Sequence, residues 1–216
     1  MSGKLSPSMM CADFLCLEKD IRTFEELGVE YLHIDVMDGL FVPNYTLGTD
    51  FIKRLKESTR IPLDIHLMIE KPEDKLEWFE FGENDYVSFH YEATNHTHRA
   101  IQRIKARGAK AMLALNPATP LCVLEDSAPD LDAVLIMTVN PGYAGQGLVP
   151  QTLGKIKRLR AMYPDMEIEA DGNVSFENAV KMRQAGADIF VAGSSSIFSR
   201  SGGLAENTRR LRECVR

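Results

Sequence analysis

Short apolar stretches alternate with longer periodic ones along this whole chain, and that alternation restricts the fold more than any other feature of the sequence. Strand-like runs are expected at residues Lys4–Ser8, Val29–Val36, Pro62–Met68, Asp85–Phe89, Lys110–Leu115, Ala133–Val139, Glu167–Ala170 and Asp188–Ala192. Helical periodicity fills the gaps. Asp13 caps the first helix, Phe14, Leu17, Ile21, Phe24 and Leu27 repeat along its face, and Gly28 ends it. Thr49 or Asp50 opens the second, with Phe51, Ile52 and Leu55 on its face, and Pro72 sits in the first turn of the third, which carries Leu76, Trp78 and Phe79. Further helices are expected at Asn95–Arg107, Leu121–Glu125 (short), Gln151–Tyr163, Phe176–Ala185 and Leu204–Val215. Eight strand–helix units in 216 residues point to an α/β protein, a (β/α)8 TIM barrel forming a single domain over residues 1–216. An open doubly wound sheet fits less well, because no GxGxxG follows the first strand and polar residues end many strands instead of one switch point.

The barrel assignment gives position a meaning, since the C-terminal strand ends form the active face. Side chains alternate along a strand, so His33, Asp35 and Met37 share one face in His33-Ile34-Asp35-Val36-Met37-Asp38-Gly39. Asp64, His66 and Met68 share a face on the third strand, and Glu169 and Asp171 on the seventh. Unpaired polar groups are costly to bury. Two imidazoles and two carboxylates converging there suit one divalent ion of the zinc, iron(II), manganese or cobalt kind, whereas magnesium or calcium prefers oxygen donors. A metal-free network of His–Asp hydrogen bonds is the other reading of the same residues. His90 ends the fourth strand, within reach of the pocket or the core, while His96 and His98 begin a helix in solvent.

Small-residue loops follow the last three strands: Asn140-Pro141-Gly142-Tyr143-Ala144-Gly145-Gln146-Gly147, Asp171-Gly172-Asn173, and Gly193-Ser194-Ser195-Ser196. Glycine lets backbone N–H groups approach an anion closely, and barrels often bind phosphate at the last loops. With no Lys or Arg in these loops, backbone amides and hydroxyls would hold the phosphate. A metal beside a phosphate cradle suits a small phosphorylated ketose, whose carbonyl the metal polarises to acidify the neighbouring C–H. Asp35 and Asp171 flank the site from separate strands, as two-base epimerisation requires.

The formal net charge is -6 with signs mixed along the chain, which argues against nucleic acid as a partner. No apolar run is long enough to span a membrane, and residues Met1–Pro7 lack the apolar core of a secretory signal. Cys11, Cys16, Cys122 and Cys214 show no CxxC spacing and read as free thiols of a cytoplasmic protein, Cys11 packing or lining the site.

The chain resembles the ribulose-phosphate 3-epimerase family over nearly its whole length. The resemblance is carried by Leu5-Ser6-Pro7-Ser8, Ala12-Asp13-Phe14, the His33–Gly39 stretch continuing to Phe41-Val42-Pro43-Asn44, and Pro62–Met68. Ala114–Pro120, Met137–Gly142 and Val191–Ser194 complete it. It implies a barrel of the ribulose-phosphate-binding type, with His33, Asp35, His66 and Asp171 on the metal. Asp35 is then the proton acceptor and Asp171 the donor. Substrate contacts fall to Ser6, His66, Met37, Met68 and Met137, with the phosphate on Gly142, Tyr143, Ala144, Gly145, Gly172, Asn173, Gly193 and Ser194. Read without the resemblance, the methionines are gap-fillers of a core.

Two departures stand out. Met9-Met10-Cys11 replaces the usual Ile-Leu-Ser, and Asn173 stands where a second glycine is common. The first, with Tyr143-Ala144-Gly145-Gln146, leans toward the related allulose-6-phosphate 3-epimerases, which act on a ketose one carbon longer. D-Ribulose 5-phosphate, converted to D-xylulose 5-phosphate, is the first expectation for the substrate and D-allulose 6-phosphate the second. A lyase or decarboxylase fits less well, since no Lys ends strand two, three or seven, and a non-catalytic barrel leaves the opposed carboxylates unexplained. A homo-oligomer is expected, with Trp78-Phe79-Glu80-Phe81 as apolar surface for a partner unless it packs on the barrel.

Overall fold

A computed structural model describes residues 2–216; Met1, the first residue of the stretch read for a leader and of the expected domain, lies outside them. The strands are β1 (Lys4–Pro7), β2 (Leu32–Asp38), β3 (Tyr45–Thr46), β4 (Leu63–Met68), β5 (Tyr86–His90), β6 (Lys110–Leu115), β7 (Ala133–Met137), β8 (Glu167–Asp171) and β9 (Ile189–Ala192). The helices are α1 (Leu17–Glu26), α2 (Thr49–Ser58), α3 (Thr97–Ala106), α4 (Gln151–Met162), α5 (Phe176–Ala185) and α6 (Leu204–Cys214). The sheet runs β1-β9-β8-β7-β6-β5-β4-β2-β3 and is parallel throughout except for β3, which pairs antiparallel with the end of β2. A bridge between Ser8 and His33 and a bond from Tyr31 N to Leu5 O (3.2 Å) join β1 to β2, closing the barrel.

Strand alternation sorts the side chains into two cores. Leu32, Ile34, Leu63, Ile65, Val87, Phe89, Leu113, Ile136, Ile168 and Phe190 point outward and are buried against the helices. Their burial is the main stabilising term, at about 1.5–3 kcal/mol for each large side chain. The inward set on the β5–β7 side is mainly apolar, with Tyr86, Met112, Leu135 and Met137, while β5 adds the buried Ser88 and His90. On the β1–β2–β4–β8 side the buried inward residues are mostly polar, Ser6, His33, Asp35, Asp64, His66 and Glu169, with Met37 and Met68 toward the strand ends.

Four elements differ from the sequence expectation. The first helix starts at Leu17, because Asp13 accepts from Leu15 N (3.0 Å) in a local turn, leaving Phe14 and Leu15 exposed. The helix expected after Pro72 is replaced by two 3₁₀ turns, Pro72–Asp74 and Leu76–Trp78. Arg107 holds that segment by donating to the carbonyls of Leu76 and Phe79 (2.6 Å each), a tertiary contact that local periodicity does not report. Leu121–Leu124 is likewise 3₁₀. The second strand begins at Leu32, three residues later than expected, and runs on to Asp38, where the unexpected β3 completes a hairpin. Of the apolar run at 78–81, only Trp78 is exposed among the aromatics, Phe79 and Phe81 being packed inward. Among the described residues no helix is long and apolar enough to cross a membrane.

Candidate active site

The inward faces of β2, β4 and β8 meet at the C-terminal end of the barrel. Register sets Asp35 beside His66 across β2 and β4, and Asp171 beside Met137 across β7 and β8. One ligand-type atom from each of His33, Asp35, His66 and Asp171 lies within 4.8 Å of the others. His33 Nε2 is 3.3 Å from Asp35 Oδ1 and 4.0 Å from Asp171 Oδ2. His66 Nδ1 is 3.7 Å from Asp35 Oδ1 and 3.6 Å from Asp171 Oδ2. Both of these nitrogens are buried without a hydrogen-bond partner. Two unpartnered imidazole nitrogens facing two carboxylate oxygens form a donor set that fits a four-coordinate divalent ion.

The two carboxyl groups of the site differ in acidity. Burial by itself would raise Asp35, but His33 and His66 beside it outweigh that and hold the carboxyl well below the usual carboxylate range. Burial pushes Asp171 up to about 6, with the two imidazoles opposing and the charge of Asp35 adding. Two carboxyl groups at one site are therefore driven apart in acidity. Burial opposes charge on His33, yet Asp64 and Asp35 raise it well above the ordinary histidine value. A cation bound at His33 Nε2 would displace that proton.

A second polar layer lies one register step below. Asp64 Oδ2 accepts from His33 Nδ1 at 2.7 Å and from Ser6 Oγ at 2.8 Å. Glu169 is wholly buried there, and burial together with the neighbouring Asp64 pushes it far above the usual carboxylate range. On the other flank His66 Nε2 is 2.9 Å from His90 Nε2, and His90 Nδ1 is 3.3 Å from Glu92 Oε2. The His90 and His66 rings meet edge to edge with centroids 5.0 Å apart, and burial lowers His90 to about 4, leaving it neutral.

Above the four groups opens a cleft at the barrel mouth. Met37, Met68 and Met137 line it, as do Asp35, Asp171 and all of Gly142, Tyr143, Ala144, Gly145, Gly172, Asn173, Gly193 and Ser194. No Lys or Arg is in the lining. A side chain at Gly172 (φ +117) would put its Cβ 2.5 Å from Val139 Cγ2, so this backbone position excludes one. Asn173 takes φ +47 and keeps the loop by donating to Gln146 O (2.7 Å), Asn178 Nδ2 donating in turn to its Oδ1 (2.7 Å). Opposite, Asn44 Nδ2 donates to Gly142 O (2.9 Å) and Tyr143 Oη to Pro43 O (2.5 Å), tying the β2–β3 turn to the glycine loop.

Of the expected substrate contacts, Ser6 and His66 do not line the cleft. Ser6 is fully buried in the lower layer and does not line the cleft. Ser8, two residues on and so one layer higher on the same face, does line it, and its Oγ donates to Asp35 Oδ2 (2.6 Å). The alternation that selected Ser6 selects Ser8 equally; only depth along the barrel separates them. Glu169 likewise stays below the cleft that Asp171 lines. Of Met9, Met10 and Cys11, the last two line the cleft and Met9 is fully buried in the outer core. Burial raises the Cys11 thiol, so it is not a thiolate.

The family model for the ribulose-phosphate 3 epimerase family matches residues 4–198. A ribulose-phosphate 3-epimerase of Bacillus subtilis is 45% identical over 197 residues, covering 89% of this chain and 91% of the relative. One of Methanocaldococcus jannaschii is 43% identical over 216 residues, covering 98% and 91%. Among solved structures, KGPDC from Streptococcus mutans superposes with a TM-score of 0.69 at 13% identity, covering 99% of this chain and 97% of that one. A 3-hexulose-6-phosphate synthase gives 0.64 at 14%, with both chains wholly covered. At such identities the likeness is one of fold, the (β/α)8 barrel.

Proposed function

This chain belongs to the ribulose-phosphate 3-epimerase family, and on that premise we propose that it interconverts D-ribulose 5-phosphate and D-xylulose 5-phosphate by inverting C3. The observation that carries the reading is the meeting of His33 Nε2 and His66 Nδ1, both buried and unpartnered, with one oxygen each from Asp35 and Asp171.

Asp35 and Asp171 come from β2 and β8, with β1 and β9 between them, so they reach a bound ketose from opposite sides. Asp35, the stronger acid of the two and hence ionised, takes the C3 proton on one face; the Ser8 hydroxyl on its Oδ2 fixes the carboxylate plane. Asp171, raised toward neutrality, carries the proton delivered to the opposite face. The reverse reaction exchanges these roles. His33, Asp35, His66 and Asp171 would hold one divalent ion of the zinc, iron(II), manganese or cobalt class, which supplies electrophilic stabilisation of the enediolate oxygens. Met37, Met68 and Met137 exclude water beside the reacting carbon, while backbone N–H groups of the loops at 142–145, 172–173 and 193–194 take the phosphate.

The wall formed by Met10 and Cys11 supports D-allulose 6-phosphate as a second substrate reading. Incubation of each ketose phosphate in deuterated water tests both. Deuterium at C3 with appearance of the C3 epimer is expected, faster with the pentulose. Carbon dioxide or a cleavage product would overturn the assignment. Asp35→Asn and Asp171→Asn should each abolish turnover while the folded state persists; near-wild-type activity in either would end the two-base mechanism.

A further inference from the structure

We infer that Glu92 is a positioning residue that acts through His90 to hold the His66 ring with the lone pair of Nδ1 toward the metal position. The inference rests on reading His66 as a metal ligand, and its starting point is the geometry behind that ring. His66 Nε2 faces His90 Nε2 at 2.9 Å, and His90 Nδ1 faces Glu92 Oε2 at 3.3 Å. A carboxylate only accepts. His90 Nδ1 therefore donates to Glu92, and the 2.9 Å gap between the two Nε2 atoms holds one proton; a His90 ring that donates from Nδ1 offers Nε2 as the acceptor, so that proton comes from His66 Nε2. The Nδ1 of His66 is then left without a proton, as coordination demands.

The relay is anchored at its far end. Glu92 Oε1 accepts from Asn116 N at 3.0 Å and from the Thr119 hydroxyl. The buried Lys155 fixes that loop by donating to Asn116 O (2.7 Å) and Pro117 O (3.3 Å). Phe41, from the β2–β3 turn, packs on His90 with centroids 4.7 Å apart. The side chain of Glu92 is 24% exposed, so it stands at the edge of the barrel mouth, outside the cleft lining.

This arrangement makes an amide at position 92 more harmful than a deletion. The N–H of Asn116 can only donate, so the side chain introduced by Glu92→Gln must turn its oxygen toward Asn116 and its NH2 toward His90. His90 Nδ1 then accepts, its proton moves to Nε2, and His66 is driven to carry its proton on Nδ1, where the metal would bind. Glu92→Ala removes the orienting acceptor without imposing the wrong tautomer. A residue that only packs or ties loops together would rank the two the other way, because Gln keeps volume and bonds that Ala loses.

The test uses the full chain in three measurements. Cobalt(II) and zinc affinity by chelator competition should fall in the order wild type, Glu92→Ala, Glu92→Gln, by roughly tenfold and roughly 100-fold. The metal-free proteins should melt in the order wild type, Glu92→Gln, Glu92→Ala. Ring-nitrogen NMR of metal-free protein labelled with 15N-histidine should show His66 protonated on Nε2 in the wild type and on Nδ1 in Glu92→Gln. Equal or tighter metal binding by Glu92→Gln than by Glu92→Ala, or an unchanged His66 tautomer, would overturn the inference. If Glu92→Ala does not fold, the nitrogen spectra of the wild type and Glu92→Gln decide alone. Because those spectra need neither metal nor substrate, failure of the relay is distinguished from failure of the metal reading.

Discussion

His33 and His66 face the same point from adjacent strands, but they are held from behind in different ways. His33 rests directly on a carboxylate, Asp64, at 2.7 Å, wholly inside the barrel. His66 rests on a second imidazole, and the carboxylate that orients it, Glu92, stands one link further out at the barrel mouth. The difference follows from where each strand leaves its neighbours. Across β2 and β4, Asp64 is the register partner of His33, so a backing carboxylate is available on the next strand. Across β4 and β5 the partner of His66 is Ser88, and the outer nitrogen meets His90 from further along β5. A direct backing is short and insulated; a relayed one is longer, and each added bond is a place where the proton order can be reversed.

The largest expected break in this comparison is Asp64→Ala. It strands the proton of His33 Nδ1 in a dry interior, where loss of a buried partner costs about 3 kcal/mol or more. A drop of that size in urea-unfolding stability is expected, together with roughly 100-fold weaker metal binding. Next comes the contrast between the two amides. In Asp64→Asn the oxygen can stay on His33 while the NH2 turns to Glu169, whose oxygens have no partner, so metal affinity should fall no more than about tenfold. That is milder than Glu92→Gln, and competition titration of the two variants side by side checks it. Equal losses would show that charge, and not proton order, governs both histidines.

A smaller effect separates the relays by pH. Burial opposes ionisation of Glu92, but His90, Thr119 and the Asn116 N–H outweigh it and bring the carboxyl down to about 2 from an ordinary value of 4.5. A lowered folded value means that its stabilisation is complete above about pH 4.5 and is lost as the pH falls through about 2. Unfolding midpoints measured from pH 6 to pH 2 should show that acid limb in the wild type, reduced in Glu92→Gln. The smallest expected change is Ser6→Ala. It removes one of two donors to Asp64 Oδ2, for a cost of about 1 kcal/mol and a few-fold weaker metal binding, measured as for the other variants.

Much of the site was legible in the chain because a parallel barrel turns strand position into spatial position. His33, Asp35, Asp64, His66, Glu169 and Asp171 could be gathered from three strand ends on the residues alone, since alternation puts them inward and the strands all end on one face; the family resemblance singled out His33, Asp35, His66 and Asp171 among them. The glycine loops were legible for the same reason. Depth was not. Ser6 and Ser8, or Glu169 and Asp171, share a face and differ by one pleat, and only the tilt and closure of the barrel decide which reaches the cleft. The 3₁₀ turns after Pro72 were hidden because Arg107, far along the chain, supplies the bonds that hold them.

What the sequence determined by itself was the (β/α)8 order, the inward polar set and the family, because these depend on local periodicity and on residues read one strand at a time. What only the tertiary structure decided was which nitrogen of each histidine is free. That depends on partners 24 to 31 residues away, His90 for His66 and Asp64 for His33, whose hydrogen bonds form only when neighbouring strands settle into register.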